Sequence, residues 1–482
     1  MLILTKQINR NERRTKKKKD IRKSIKENEL KSKAKLKAKI HRKKENKKYA
    51  IKTIFFLIYI IKYIILKYFI IYISAKKNYI QLYESIITLT IKGPGYSLIF
   101  NDLMPQKPNK IIINDNITME NNAVYCDYIF ERVENSIKLI WNDDITSSGH
   151  LFDGCSNITE IDLSLFDASH ANQMYNMFRG CKSLKSINFG NFDISNVIGM
   201  GHMFFGCSSL ISLDLTSFRT QNVEYMDYMF TDCSSLIFLD LSSFDTSNVK
   251  WMSFMFWGCS SLISLNLFNF ITPNVTVMQY MFCECSKLSY LNVSNFDTLK
   301  VEYFESMFYN CSSLRSLDLS NFITPEAKSY GHMFYGCSSL VSLDISNLIT
   351  SQITHMDNMF HKCSSLTSLN LSNFNTENVE FIGGMFFACV QLTSLDLSNF
   401  DTSKVTSMDH LFHNCINLEY ININKFTDEA LNDTTDMFNN LPNNIIVCIT
   451  PNSNNQKIIE ELNKKNIFIL IVLMIGNRIK NK

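Results

Sequence analysis

A solenoid of about eleven coils, mainly β or α/β in class, is the fold this sequence predicts, on three observations. Cysteine recurs every 26 residues, from Cys155, Cys181 and Cys207 through to Cys415, without a miss. Phenylalanine recurs at the same interval from Phe152 to Phe438. Between them the stretch LxSLDLS alternates apolar and polar residues, as a half-buried strand does. A fixed period of roughly 20 to 50 residues marks stacked coils, each covering its neighbour's apolar side. Such stacking makes a long surface, so binding is expected ahead of catalysis.

Taken in chain order, residues 1–48 form a basic, low-complexity arm. They carry 21 Lys/Arg against 5 Asp/Glu and the other residues 28 against 40, so the formal net charge of +4 conceals parts of +16 and −12. The arm could touch nucleic acid or anionic lipid. The plainer reading is a solvated cytosolic flank that sets membrane orientation, and nucleic acid is not the expected partner. The apolar run 51–74 is long enough to span a bilayer, which takes ~20 residues, although Lys62 and Lys67 inside it would be costly. Two readings stay open for it, an uncleaved transmembrane signal-anchor and a signal h-region cut near Ala75. Either places the repeats outside the cell, membrane-anchored or secreted.

Residues 76–150 read as a β-rich N-terminal cap: ESIITLTIK alternates, Gly93-Pro94-Gly95 marks a turn, and KIIIN (110–114) is a further apolar run. The repeats occupy 151–440, and 441–482 form a C-terminal cap and tail in which NNIIVCIT (443–450) reads as a last strand. The apolar stretch Ile467–Ile475 is too short to span, and the basic residues after it argue against a lipid-anchor signal.

A clean coil runs from Cys207 to Asp232, CSSLISLDLTSFRTQNVEYMDYMFTD. With cysteine as position 1, positions 4, 7 and 9 are Leu, Ile or Val, so successive strands should stack in parallel at ~4.8 Å and run roughly 50 Å along the axis. Phe at position 12, Val at 17, Met at 20 and Met-Phe at 23 and 24 suit the filling between strand side and return side.

The pattern MFxxCSSLxSLDLSNFDTSxV, as in MFFACVQLTSLDLSNF (Met385–Phe400) and CSSLRSLDLSNF (Cys311–Phe322), closely resembles the BspA-type leucine-rich repeat. The resemblance implies a right-handed leucine-rich-repeat solenoid with a parallel sheet. That family occurs on surface proteins of bacteria and protists and is implicated in adhesion and protein binding.

Of the 14 cysteines, those in the repeat are expected to be buried free thiols. Neighbouring coils set them a strand spacing apart, whereas a disulfide needs Cβ atoms within ~3.5–4.5 Å in a defined orientation, and zinc sites need clustered ligands. His150, His202, His332 and His410 share position 22 on non-adjacent coils and so cannot share a metal. No phosphate loop, zinc-protease motif or catalytic constellation stands out. No enzyme activity, cofactor or metal is expected.

The surface row singled out is position 8, Asp or Asn in every coil. Its members Asp214, Asp240, Asn266, Asn292, Asp318, Asp344, Asn370 and Asp396 are the candidate binding residues, with a solubility role as the alternative. Sequons at Asn116, Asn157, Asn274, Asn292, Asn310, Asn370 and Asn432 are glycosylation candidates if the chain is exported. The expected function is non-enzymatic binding of an extracellular protein or glycan. The alternative is an intracellular scaffold whose basic arm contacts nucleic acid or membrane.

Overall fold

The computed structural model describes residues 84–120, 126–190, 192–465 and 467–470, together with 35, 37 and 57–68. Met1–Tyr83 and Glu84–Lys482 are separate units. In the first, residues 57–68 are helical and exposed. Among the described residues no helix is long and apolar enough to cross a membrane. The remainder of the expected span 51–74, and nearly all of the basic arm, lie outside the described residues.

The second unit begins with an antiparallel sheet. Its strands are β1 (Ser85–Lys92), β3 (Lys110–Ile113), β4 (Ile117–Glu120) and β6 (Glu134–Trp141), while β2 (Gly95–Leu98) and β5 (Asp127–Phe130) form a separate ribbon. β1 buries Ile87, Leu89 and Ile91 on one face, as its alternation requires. Its one edge pairs with β6, and its other edge pairs antiparallel with β7 (Ile158–Leu165), the strand of the first coil. β7 then pairs in parallel with β8 (Ser186–Asn188). The cap thus continues the sheet into the solenoid and hides the first coil's apolar end.

The repeats form a β-solenoid of about eleven turns, with parallel bridges 26 residues apart and little helix. The sheet on the strand side is shorter and more broken than expected. It consists of three-residue pieces: β9 (Phe238–Asp240) with β10 (Ser264–Asn266), β11 (Ser316–Asp318) with β12 (Ser342–Asp344), and β13 (Ser394–Asp396) with β14 (Tyr420–Asn422). A turn at position 8, described below, claims the N–H of position 10 and stops each strand there.

The unbroken ladder lies on the return side. Position 19 bridges coil to coil from Gln173↔Gly199 to Ser407↔Asp433. Past it, alternate amides bond to the next coil: Met226 N–H to Trp251 O at 3.1 Å, Tyr228 to Ser253 at 2.9 Å, Phe230 to Met255 at 2.9 Å and Asp232 to Trp257 at 2.7 Å. Two left-handed residues per coil, at positions 22 and 26, bend the chain through this side. Position 26 is glycine where the fit is easiest (Gly206, φ 71°), yet Lys362 and Ala388 hold the same conformation.

Three side-chain columns fill the coil. The position-24 rings stack without a break from Phe152 to Phe438, with neighbouring centroids 5.3–5.9 Å apart and planes within 17°. The cysteines are free and buried. From Cys181 to Cys415 each Sγ donates to the carbonyl of the phenylalanine 29 residues earlier, as Cys207 does to Phe178, at 3.0–3.2 Å. From Thr220 to Thr402 position 14 is a buried threonine whose hydroxyl replaces a missing backbone bond. Thr246 Oγ1 donates to Ile271 O at 2.7 Å and accepts from Ile271 N–H at 3.0 Å, and Thr220, Thr350, Thr376 and Thr402 do the same.

At the C-terminal end β14 pairs in parallel with β15 (Ile446–Cys448), inside the stretch read as a capping strand, and β15 pairs with β16 (Phe468–Leu470). Between β15 and β16 the helix Gln456–Lys464 buries Ile458 and Leu462.

Thr246→Val keeps the shape but strands a buried N–H and a C=O, and should cost about 2 kcal/mol or more. Thr246→Ser keeps the hydroxyl and should cost only the ~0.8 kcal/mol of one methyl. Equal shifts of the urea midpoint for the two variants would show that the hydroxyl is dispensable. Burial pushes the thiols of Cys233 and Cys337 up to about 12, so the cysteines from Cys207 to Cys389 should alkylate slowly in the native protein and fast in denaturant without reductant. A need for reductant in denaturant would overturn the free-thiol assignment.

Candidate binding face of the solenoid

On the strand side, positions 6 and 8 point outward, position 7 is buried or half-buried, position 9 is buried, and position 5 directly precedes the strand. In three successive coils position 5 is isoleucine, with Ile211 56%, Ile237 46% and Ile263 51% exposed. Their backbones are joined directly, Ile237 N–H to Ile211 O at 3.0 Å and Ile263 N–H to Ile237 O at 2.9 Å, so the side chains lie side by side on adjacent coils. Phe238, 49% exposed at position 6, extends this row, Phe268 stands in water on the coil of Ile263, and Tyr290 does so on the next coil. Scattered exposed apolar residues are ordinary, but a contiguous row marks a contact surface.

The position-8 row runs beside it. Asp214, Asn292, Asp318, Asp344, Asn370 and Asp396 are exposed, and Asp240 and Asn266 are half-buried. Each of these eight carries a job that the sequence reading did not assign. Its Oδ1 accepts the backbone N–H two residues on, at 2.9–3.1 Å, as in Asp214 with Thr216 and Asn370 with Ser372. This is an Asx turn, and it explains why Asp and Asn interchange here, since both supply the same oxygen. Asn266 Nδ2 also donates to Asp240 Oδ1 at 2.9 Å, tying one coil to the next. Bonds from Thr216, Ser242 and Ser320 hold the carboxyls of Asp214, Asp240 and Asp318 below the usual carboxylate range.

Among the sequons, Asn116, Asn292, Asn370 and Asn432 are exposed. The other three already use their amide nitrogen: Asn157 on Ser97 Oγ (2.7 Å), Asn274 on Ser247 O (2.9 Å) and Asn310 on Glu284 Oε1 (2.9 Å). A glycan on any of these would break that bond.

Elsewhere a groove of about 720 Å³ crosses the first coils, between Arg179, Phe205 and Asp232, beside Gly154, Gly180 and Gly206. Arg179 is already engaged there by Asp153 (3.4 Å) and the Phe205 ring (5.7 Å). The position-22 histidines do sit on separate coils, but His410 gains other company. Ligand atoms of His410, His413 and Asp436 lie within 4.8 Å of one another. That grouping was missed because it joins positions 22 and 25 of one coil to position 22 of the next, which no single column displays.

Residues 146–261, 236–342 and 329–446 each match the family described as Mycoplasma protein of unknown function, DUF285; the matches span well over half of the chain, which belongs to that family. No curated protein matches the chain.

The Asx turns make a prediction about acid. A carboxyl whose pKa is depressed on folding adds stability above its unfolded value of ~3.9, and that stability is lost as pH falls through the folded value. The triple variant Asp214→Asn, Asp240→Asn, Asp318→Asn keeps the acceptor oxygens but lacks that contribution, so it should be slightly less stable than the parent at pH 7, with the gap closing below pH ~4. Asp240→Ala removes the acceptor and should cost about 1 kcal/mol at either pH. If alanine proves as well tolerated as asparagine in urea melts, the turn contributes nothing.

Proposed function

We propose that this DUF285-family chain is a non-enzymatic surface protein whose solenoid binds other proteins, or the glycans they carry, through its strand face. The observation that carries this reading is the exposed row Ile211, Ile237, Ile263 with Phe238 beside it. Apolar area left in water on consecutive coils is area that a partner can cover, at roughly 25 cal/mol per Å². A flat row spread over several coils suits an extended macromolecular partner rather than a small molecule, as is usual for solenoids. The likeness of the repeat to the BspA type supports an adhesive role. We place the repeats outside the cell, anchored or exported through the run 51–74.

Protease added to intact cells should therefore remove the repeats, and protection until permeabilisation would favour the intracellular scaffold instead. Cells bearing the full chain should adhere to protein-coated surfaces. The variant Ile237→Lys, Ile263→Lys should cut that adhesion at least tenfold and leave the unfolding free energy within about 0.5 kcal/mol of the parent, as exposed substitutions do. Undiminished adhesion would move the binding face elsewhere, and loss of adhesion only on glycan-coated surfaces would assign the partner as glycan.

A further inference from the structure

We propose that His410, His413 and Asp436 form a divalent transition-metal site that ties the last two coils of the repeat together, with Zn²⁺ the expected occupant. Two imidazoles and a carboxylate are the donor set that zinc takes readily, and a site with three protein ligands keeps a further position open for water or a partner's donor. His410 and His413 stand three residues apart on one turn, closed by the bond from His413 N–H to His410 O at 3.1 Å. Asp436 occupies His410's position on the next coil, and its Oδ2 lies 3.9 Å from His410 Nε2. Metal bonds of ~2.1 Å bring ligand atoms to within roughly 3.5 Å of one another, so the present spacing closes with side-chain rotations of about 1 Å.

The surroundings orient the donors. Asp409 Oδ2 lies 3.3 Å from His410 Nδ1, and the Oδ1 of the same carboxylate accepts from the Ser407 hydroxyl. A carboxylate on the far ring nitrogen fixes the tautomer and leaves Nε2 as the ligand. His413 ends a file of five stacked rings, Tyr309, Tyr335, His361, Phe387 and His413, with centroids 4.3–4.9 Å apart. Its Nδ1 is buried and has no hydrogen-bond partner, which is costly unless something supplies one. The exposed Asp436 leaves a path in from solvent. The same positions at the other end of the repeat make the contrast: His150 is taken by Asp153 at 2.9 Å and Asn176 at 3.4 Å, with no carboxylate on the next coil's position 22. Among the described residues this is the one grouping of three such ligands.

The test is a Co²⁺ titration of the untagged full-length chain. One equivalent should bind with visible d–d absorption and without the near-ultraviolet charge-transfer band of cobalt thiolate, and Zn²⁺ but not Mg²⁺ should displace it. The Kd should rise at least tenfold in His413→Gln and in Asp436→Asn, and stay unchanged in His202→Gln. Asp436 is exposed, so its variant reports even if His413→Gln folds poorly. Absence of binding, a thiolate band, or the parent's affinity in Asp436→Asn would overturn the site.

Discussion

Each coil must offer its backbone N–H and C=O groups to the next coil at the same height, and the rest of the molecule follows from that requirement. Buried backbone polar groups need partners, and inside a solenoid the neighbouring coil is the one at hand. Where two backbones meet directly, as at positions 19 to 26, the ladder is continuous. Where the chain turns too sharply, a side chain substitutes. The Thr246 hydroxyl stands in at position 14, the Asn248 amide reaches Gln221 O at 2.8 Å, and the position-8 oxygens close their own turns. The phenylalanine file and the thiol column keep the same spacing because the ladder leaves them no other.

This explains what the sequence did and did not reveal. Periodicity is a local property of the string, so the solenoid, its coil number and the buried Cys and Phe columns were legible at once. Burial alternation was legible too, down to β1 and the last strand before the C-terminal helix. The partner of a polar side chain was not. Thr246 and Ile271 lie 25 residues apart, and only the stacked geometry shows that they bond. Position 8 reads in the sequence as hydrophilic and outward, and the turn that its shared Oδ1 closes is a bond no string of letters displays. The continuous strand-side sheet was over-read for the same reason, since the turn that cuts each strand short is made by that oxygen. His410, His413 and Asp436 escaped notice because a column-by-column reading compares like positions only.

Within a repeat protein, what recurs in every coil belongs to the scaffold, and departures from the repeat carry the individuality. Cysteine, phenylalanine and the Asx residue recur because each coil needs them, and threonine recurs through the eight central coils from Thr220 to Thr402. The isoleucine row ends after Ile263, giving way to Ser289 and Arg315 at the same position, and the second histidine of the metal-binding cluster replaces the aromatic residues found at position 25 of Phe205, Tyr309 and Tyr335. Both features sit on a frame that would stand without them, which frees them to change.

The ladder also makes length a quantised trait. Removing or adding part of a coil throws the cysteine, phenylalanine and threonine files out of register together, so that stacked rings face carbonyls and hydroxyls face rings. Gain or loss of a whole 26-residue unit leaves every file intact, and the antiparallel sheet at one end and the helix with its strands at the other still find the surfaces they cover. Gene duplication can therefore lengthen this surface in single-coil steps, and the fold tolerates descendants of many lengths with the same two ends.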